Sequence, residues 1–337
     1  MIIIFAGAGA SFAVNKNNYP TTKKFFELLG QNITDVNVFQ QCIHYLHVKR
    51  QKNDPDIEDV LFYLSDLKHQ INMLCDEHSI ILDHLSQADQ NLAIRIRDQY
   101  ASQYKSKISA LENRIYREIY SHYIHEPTED ELKQNWTPLM DYLIDQEDRT
   151  EIFTTNYDVV LEQLLIHYNS KVKTFPKSST WVHPRIDIQE WQGEQLGGAY
   201  LRLTKLHGSI NWTSFLDNRH IYTGYPDNIE DPNKRPIIYP GFKGEPRNEP
   251  FITFHNHFSN SIPKSKYIIF IGFAFRDEFI NNILSSYLSN NHTIIVIDPN
   301  KELVLPFEHS GKVEYIHEEF VRKSIGMLKN IMQPTTS

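Results

Sequence analysis

The sequence predicts an α/β fold in which a parallel sheet is interrupted by a large helical insertion, and three observations carry the prediction. Short apolar runs of strand length recur, each ending in a glycine or polar turn and leading into a helical pattern, the alternation that builds parallel sheets. Residues 36–148 break that alternation, with hardly any strand-like run and no glycine. At 337 residues, 40% hydrophobic and 23% charged, the chain has the length and composition to bury a large core.

Ile2 to Phe5 form a continuous apolar run, as expected of a strand covered on both faces, and it breaks into Gly7-Ala8-Gly9-Ala10-Ser11. Glycine allows close backbone approach, so the N–H groups of this loop are candidates to cradle a phosphate. The loop departs from both common phosphate signatures. Phe12 stands where Gly-x-Gly-x-x-Gly needs its third glycine, and Gly-Lys-Ser/Thr is absent.

Tyr19-Pro20-Thr21-Thr22 reads as a turn with an N-cap, and Lys23 to Leu29 as the start of a helix. Asp56-Ile57-Glu58-Asp59 opens another, carrying Val60, Leu61, Tyr63, Leu64 and Leu67. From Ile81 to Ile119 apolar residues recur at steps of three or four without Pro or Gly, which predicts one long helix or two nearly continuous ones whose stripe serves core or subunit contact. Glu129 to Ile144 predicts one more helix. The expected division is a sheet domain of residues 1–35 and 149–337 and an insertion, a cap or oligomerisation element, of residues 36–148.

Strand signals return at Thr150 to Thr155, followed by Asn156-Tyr157-Asp158 and the helical face of Val159, Val160, Leu161, Leu164 and Leu165. Tyr200 to Leu206 leads into His207-Gly208-Ser209 and then Ile210-Asn211-Trp212, and Pro236 to Pro240 adds a short strand. In the last third, Tyr267 to Ile271 ends at Gly272, Asp277 to Leu288 is a helix, Thr293 to Ile297 ends at Asp298, and Val313 to Ile316 precedes a helix of Glu319 to Ile331. Ligands of parallel sheets bind at the carboxyl ends of strands, so the exits bearing Gly7 to Ser11, Asn156, His207, Gly272 and Asp298 form one candidate nucleotide site.

A net charge of −8 supplies no general electrostatic reason to hold nucleic acid. Cys42 and Cys75 make neither a disulfide framework nor a Cys-x-x-Cys zinc pair, and no apolar run reaches the ~20 residues that span a bilayer. With no signal peptide ahead of the first strand, the expectation is a cytoplasmic protein without metal or membrane contact.

The blocks resemble the Sir2-like (sirtuin-related) family. Gly7-Ala8-Gly9-Ala10-Ser11 matches its Gly-Ala-Gly-x-Ser loop, Thr154-Thr155-Asn156-Tyr157-Asp158 its Thr-x-Asn-x-Asp motif, and Lys205-Leu206-His207-Gly208-Ser209 its His-Gly motif. Ile271-Gly272-Phe273-Ala274-Phe275, followed by Asp277, looks like the later glycine turn of the bacterial branch, and Val296-Ile297-Asp298 like its last nucleotide-contacting exit. The four-cysteine zinc module of the family's deacylases is absent, as is their Gly-Ile-Pro-Asp-Phe-Arg segment, replaced by Phe12-Ala13-Val14-Asn15-Lys16. The resemblance therefore implies a Rossmann-like NAD+ hydrolase of the kind used in antiphage defence, with NAD+ as substrate, releasing nicotinamide and ADP-ribose. It also implies a partner that is a HerA-type ATPase or helicase, or Argonaute-like, while the long apolar helix stripe suits a homo-oligomer or equally a monomer core. The alternatives are an NAD- or ADP-ribose-binding regulatory module, and a zinc-free deacylase or ADP-ribosyltransferase.

Within that reading Asn156 and His207 are the catalytic candidates. Asn156 carries an amide donor and acceptor for ribose hydroxyls and water, and His207, as the side-chain type suited to proton transfer near neutral pH, is the general-base candidate. Gly7, Ala8, Gly9, Ser11, Asp158, Gly272, Phe273 and Asp298 are the nucleotide-binding candidates. Each has a plainer role: Asn156 and Ser11 as helix caps, Asp158 as a brace in a first helical turn, His207 and Asp298 as turn residues. Trp181, Trp191 and Trp212 are placed near the nicotinamide side as a wall or as core, and His255-Asn256-His257 as a helix surface.

Overall fold

Five apolar residues without polar alternation are satisfied where both faces of a strand are covered, and Ile2–Ala6 (β1) is buried along its whole length in the middle of a sheet. The computed structural model describes residues 1–32, 37–49, 57, 59–61, 63–64, 66–68, 86–87, 102–146, 149–166, 168, 172–173, 201–214, 221–223, 237, 246 and 248–333. Among them the strands that follow are Thr150–Thr154 (β2), Val172–Lys173 (β3), Leu201–Lys205 (β4), Trp212–Ser214 (β5), Ile221–Thr223 (β6), Tyr267–Ile271 (β7), Thr293–Ile297 (β8) and Lys312–Ile316 (β9).

Seven of these form one sheet in the order β3-β4-β2-β1-β7-β8-β9, every neighbouring pair parallel, while β5 and β6 pair antiparallel apart from it. The chain lays β2 beside β1, places β3 at the edge and returns to fill the gap with β4, then crosses back to lay β7 against the other side of β1, with β8 and β9 following outward. This Rossmann-like winding leaves its switch point between the ends of β1 and β7. Because all pairs are parallel and in register, with Ile4 opposite both Ile152 and Ile269, the exits after β4, β2, β1, β7 and β8 share one edge.

The chain divides into two compact units. The first is Met1–Thr21, Tyr120–Ile238 and Lys243–Ser337, and it holds the sheet and its core. Its helices among the described residues are Ala8–Phe12 (α1), Glu129–Leu132, Trp136–Asp145, Val160–Ile166, Phe251–Ser261 (α2), Glu278–Tyr287 (α3) and Arg322–Met332. The second unit, Thr22–Ile119 and Tyr239–Phe242, is helical where described, with Thr22–Asn32, Asn37–Lys49 and most of Ser102–Tyr123. The stripe expected along that last helix is its core, since Ile108, Leu111 and Ile115 are buried. Cys42 is buried in the same unit, and burial pushes its thiol up to about 12.

The single helix expected over Glu129 to Ile144 is two. Asn135 interrupts it, fully buried, its side chain accepting from the Trp136 N–H at 2.7 Å and donating to the Ala13 carbonyl at 3.1 Å. An asparagine that caps a new helix gains more from those bonds than from continuing the old one. Of the strand expected over 236–240 only Ile237 is described, in an isolated antiparallel bridge with Gly208, and most of 81–101 lies outside the described residues.

Candidate functional site

The glycines of the first loop are required by packing. A Cβ on Gly7 would fall on the Gly272 carbonyl and Phe273 Cα, and one on Gly9 would stand 2.8 Å from Gly272 Cα. Gly272 itself has φ +56°, a conformation open to glycine, and a Cβ there would lie 2.5 Å from the backbone of Gly9 and Ala10. The exits of β1 and β7 thus touch backbone to backbone. Two N–H groups expected to face a phosphate are engaged in that contact: Gly7 donates to the Ile271 carbonyl at 2.9 Å and Gly9 to the Gly272 carbonyl at 3.0 Å.

From the other side, the β2 exit grips the same loop. Thr154 Oγ1 donates to the Ala6 carbonyl at 2.8 Å and receives the Asn156 N–H at 3.0 Å. The Asn156 side chain then donates both amide hydrogens, to the Gly7 carbonyl at 2.9 Å and to Ser11 Oγ at 3.0 Å. A carbonyl can only accept, so it is Nδ2 that faces Gly7 and the amide oxygen that stays available. Asn156 was expected to offer a donor and an acceptor; the acceptor is what remains. It does not act as a simple helix cap, because the Val160 N–H is received by Asp158 at 3.0 Å. Ser11 continues the chain of contacts with a hydrogen bond to Asp158. Burial pushes the Asp158 carboxyl up, opposed by the charge of Lys205 and by the Ser11 and Val160 bonds.

Lys205, quoted in the sequence only as part of a motif, proves to be a clamp. It is fully buried, donates to the carbonyls of Asp158 and, at 3.3 Å, Tyr157, and meets Glu162 Oε1 at 2.8 Å and Ser209 Oγ at 2.7 Å. A buried ammonium is tolerated only with such full partnering. The signal for it was a lysine ending a parallel strand that is buried along its whole length.

On the β4 exit His207 is 3% exposed, and the Gly208 that follows turns with φ 87°. Its Nε2 lies 3.0 Å from Oδ2 of Asp277, the N-cap of α3, while Asp277 Oδ1 receives the Ile280 N–H at 3.0 Å. Burial pushes the Asp277 carboxyl up, but the hydrogen bond and charge of His207, the Ile280 N–H and His255 outweigh it and hold the group below its ordinary range. His255, on α2, stacks on His207 with ring centroids 6.2 Å apart and gives its Nδ1 proton to the Phe251 carbonyl at 2.9 Å. Burial and then the charge of His207 push it down to about 4, so it is neutral at neutral pH. This corrects the surface expected of 255–257: the segment is helical and Asn256 is exposed, but His255 is buried and His257 bonds Glu151 at 2.9 Å. Helical periodicity alone did not mark His255 as inward because its neighbours, Phe254 and Phe258, already defined an apolar face.

The remaining candidates are dispersed. Phe273 is core, its ring 4.4 Å from Phe5 and 5.0 Å from Phe275, so only its backbone borders the exits. Asp298 caps its own turn through the Asn300 N–H at 2.9 Å, and burial pushes its carboxyl up. Ala8 is half-buried. Trp212 packs against Phe251 and Phe254 as core, and Trp181 and Trp191 lie outside the described residues. Among the described residues no group of three His, Cys, Asp or Glu side chains is arranged to hold a metal, and no helix is long and apolar enough to cross a membrane.

A family model described as the SIR2-like domain matches residues 150–321, just over half of the chain. Similar solved structures include a Sir2 homologue mutant in complex with 2'-O-acetyl ADP ribose, at 9% identity over 100% of this chain and 94% of that chain, with TM-score 0.43. Another, described as the structural basis for sirtuin substrate affinity, is 11% identical over 98% of this chain and 92% of that chain, with TM-score 0.40. No curated protein matches the chain.

Proposed function

Because the chain belongs to the SIR2-like family, we propose that it binds NAD+ along the shared strand exits and hydrolyses it to nicotinamide and ADP-ribose. The observation that carries this reading is the Asn156 side chain, anchored at both amide hydrogens to the β1 loop and presenting a fixed oxygen beside the exit that bears His207.

Breaking the bond between ribose C1' and the nicotinamide nitrogen sends the electron pair to the pyridinium and develops positive charge on the ribose, so the need is to position ribose and water rather than to supply a strong acid. The Asn156 oxygen accepts a hydrogen bond from the attacking water or a ribose hydroxyl. His207 takes the proton as the water oxygen bonds C1'. The Gly7 to Ser11 segment gives the diphosphate a wall nearly free of side chains, with Asp158 bracing it through Ser11 and Asp298 set at the next exit but one for the adenosine ribose. The resemblance of the motifs extends the proposal to an NAD+-depleting effector of antiphage defence, silent until oligomerisation or a HerA-type or Argonaute-like partner releases it.

The test is nicotinamide release from NAD+ by the purified chain, alone and with the products of neighbouring genes. Asn156→Ala and His207→Ala should each lower release roughly 10²-fold or more. Intact NAD+ with no release under every condition overturns hydrolysis, and wild-type rates in both variants overturn the residue roles.

A further inference from the structure

We propose that Asp277 is a positioning residue for His207: it holds the imidazole as the Nε2–H tautomer and so makes Nδ1 the atom that accepts a proton. As a role in turnover this rests on the reading of His207 as the base; as a statement about the tautomer it rests on geometry alone.

The carboxylate of Asp277 divides its two oxygens between two donors. Oδ1 is tied to the Ile280 N–H as the cap of α3, which fixes the side chain to a rigid element, and Oδ2 is left pointing at His207 Nε2, 3.0 Å away. An ionised carboxylate accepts and cannot donate, so the proton between the two groups belongs to Nε2. The other nitrogen, Nδ1, is buried and has no hydrogen-bond partner among the described residues. A buried lone pair left unmatched is costly, and a ligand's donor would satisfy it. A ribose hydroxyl or a water supplies that donor.

The surroundings keep this arrangement single-valued. His255 also packs against His207, and its own proton is directed to the Phe251 carbonyl, so it competes for neither Asp277 nor the Nδ1 side. Behind His207 the Leu206 N–H is anchored on the Thr154 carbonyl at 2.8 Å, which ties the histidine's backbone to the exit that carries Asn156. A histidine held at the front by a capped helix and behind by a neighbouring strand has one orientation.

Asp277→Asn separates chemistry from structure. Asparagine caps helices as well as aspartate does, but it has one side-chain oxygen. With that oxygen held by the Ile280 N–H, the introduced amide turns its NH2 toward Nε2, which must then accept, and the ring proton moves to Nδ1. Asp277→Ser, also a capping residue, removes the carboxylate without supplying that donor. The measurement is a long-range ¹⁵N–¹H spectrum of the full chain labelled at histidine, with the His207 signals assigned by their loss in His207→Ala. The wild type should show Nε2–H, Asp277→Asn should show Nδ1–H, and Asp277→Ser a mixture. Nicotinamide release should fall roughly 10²-fold or more in Asp277→Asn, while NAD+ affinity changes by less than about threefold, the pattern of a misplaced tautomer. An unchanged tautomer in both variants, or full turnover in Asp277→Asn, overturns the proposal. If the wild type releases no nicotinamide under any condition, the hydrolase reading falls on its own, and the tautomer comparison still decides the role of Asp277.

Discussion

Gly9 donates its N–H to the carbonyl of Gly272 at 3.0 Å, and this single contact closes the switch point of the sheet. The two residues stand at the ends of neighbouring strands that are far apart in the chain. With Gly7 beside them they allow two strand exits to meet without any side chain between, which explains a loop rich in glycine before any ligand is considered.

Gly272→Ala is therefore expected to destabilise the protein by about 3 kcal/mol or more, since a Cβ there needs an unfavourable φ and displaces backbone atoms that have nowhere to move. Gly30→Ala and Gly326→Ala sit inside helices with nothing within 4 Å of the added carbon. Each should stabilise by about 0.5–1 kcal/mol. Thermal unfolding of the three variants checks the contrast, and equal shifts at all three positions would count against backbone packing as the reason for Gly272.

Stability should fall with acidification well before carboxylates titrate. His255 is pushed down to about 4 in the folded chain by burial and the charge of His207, whereas an unfolded histidine takes up its proton near 6.5. Between those values the unfolded state binds more protons, so stability rises with pH across that window and is lost on descending it, by about 3 kcal/mol in all. Asp277, held below its ordinary range, adds a loss at still lower pH with the same sign, because its stabilisation is present above the unfolded carboxylate value and disappears as the folded group is protonated. His255→Gln cannot titrate and should flatten urea-unfolding free energies between pH 6.5 and 4. A slope equal to that of wild type would place the sensitivity elsewhere.

The clamp at Lys205 predicts non-additive energetics. Lys205→Met strands the Glu162 carboxylate, one of whose oxygens already lacks a partner among the described residues, and should destabilise by about 3 kcal/mol or more. Adding Glu162→Leu removes the stranded charge and should recover roughly half of that loss. A double variant as unstable as the sum of the singles would mean that the pair is not coupled. The same clamp holds the carbonyls of Tyr157 and Asp158, so Lys205→Met should also impair nicotinamide release by displacing Asn156.

β1, β7 and β8 were legible because each holds a run of four or more apolar residues, the mark of two-sided burial, whereas β2 and β4 showed only through a few apolar residues among polar ones. The residues at their exits were legible for a related reason: glycine, asparagine and histidine directly after a strand signal break its pattern. Less was visible where a residue's role depends on a distant partner. In sequence Asp277 only opens an expected helix; it caps that helix, and nothing local announces that its second oxygen faces a histidine at another strand exit. Nothing local explains Lys205 at the end of a buried strand or His255 beside Phe254, and only their buried partners do.

The sequence alone determined the parallel α/β architecture and the set of exits that share an edge, because hydrophobic periodicity and turn chemistry are local properties of the chain. Tertiary structure decided which atoms of those exits are free. It engages the N–H groups of Gly7 and Gly9 and both amide hydrogens of Asn156, and leaves the Asn156 oxygen and His207 Nδ1 without hydrogen-bond partners among the described residues. Hydrogen bonding is saturable and directional, so which donor or acceptor stays open depends on every neighbour brought within 3 Å or so, and that is known only once the strands are laid side by side.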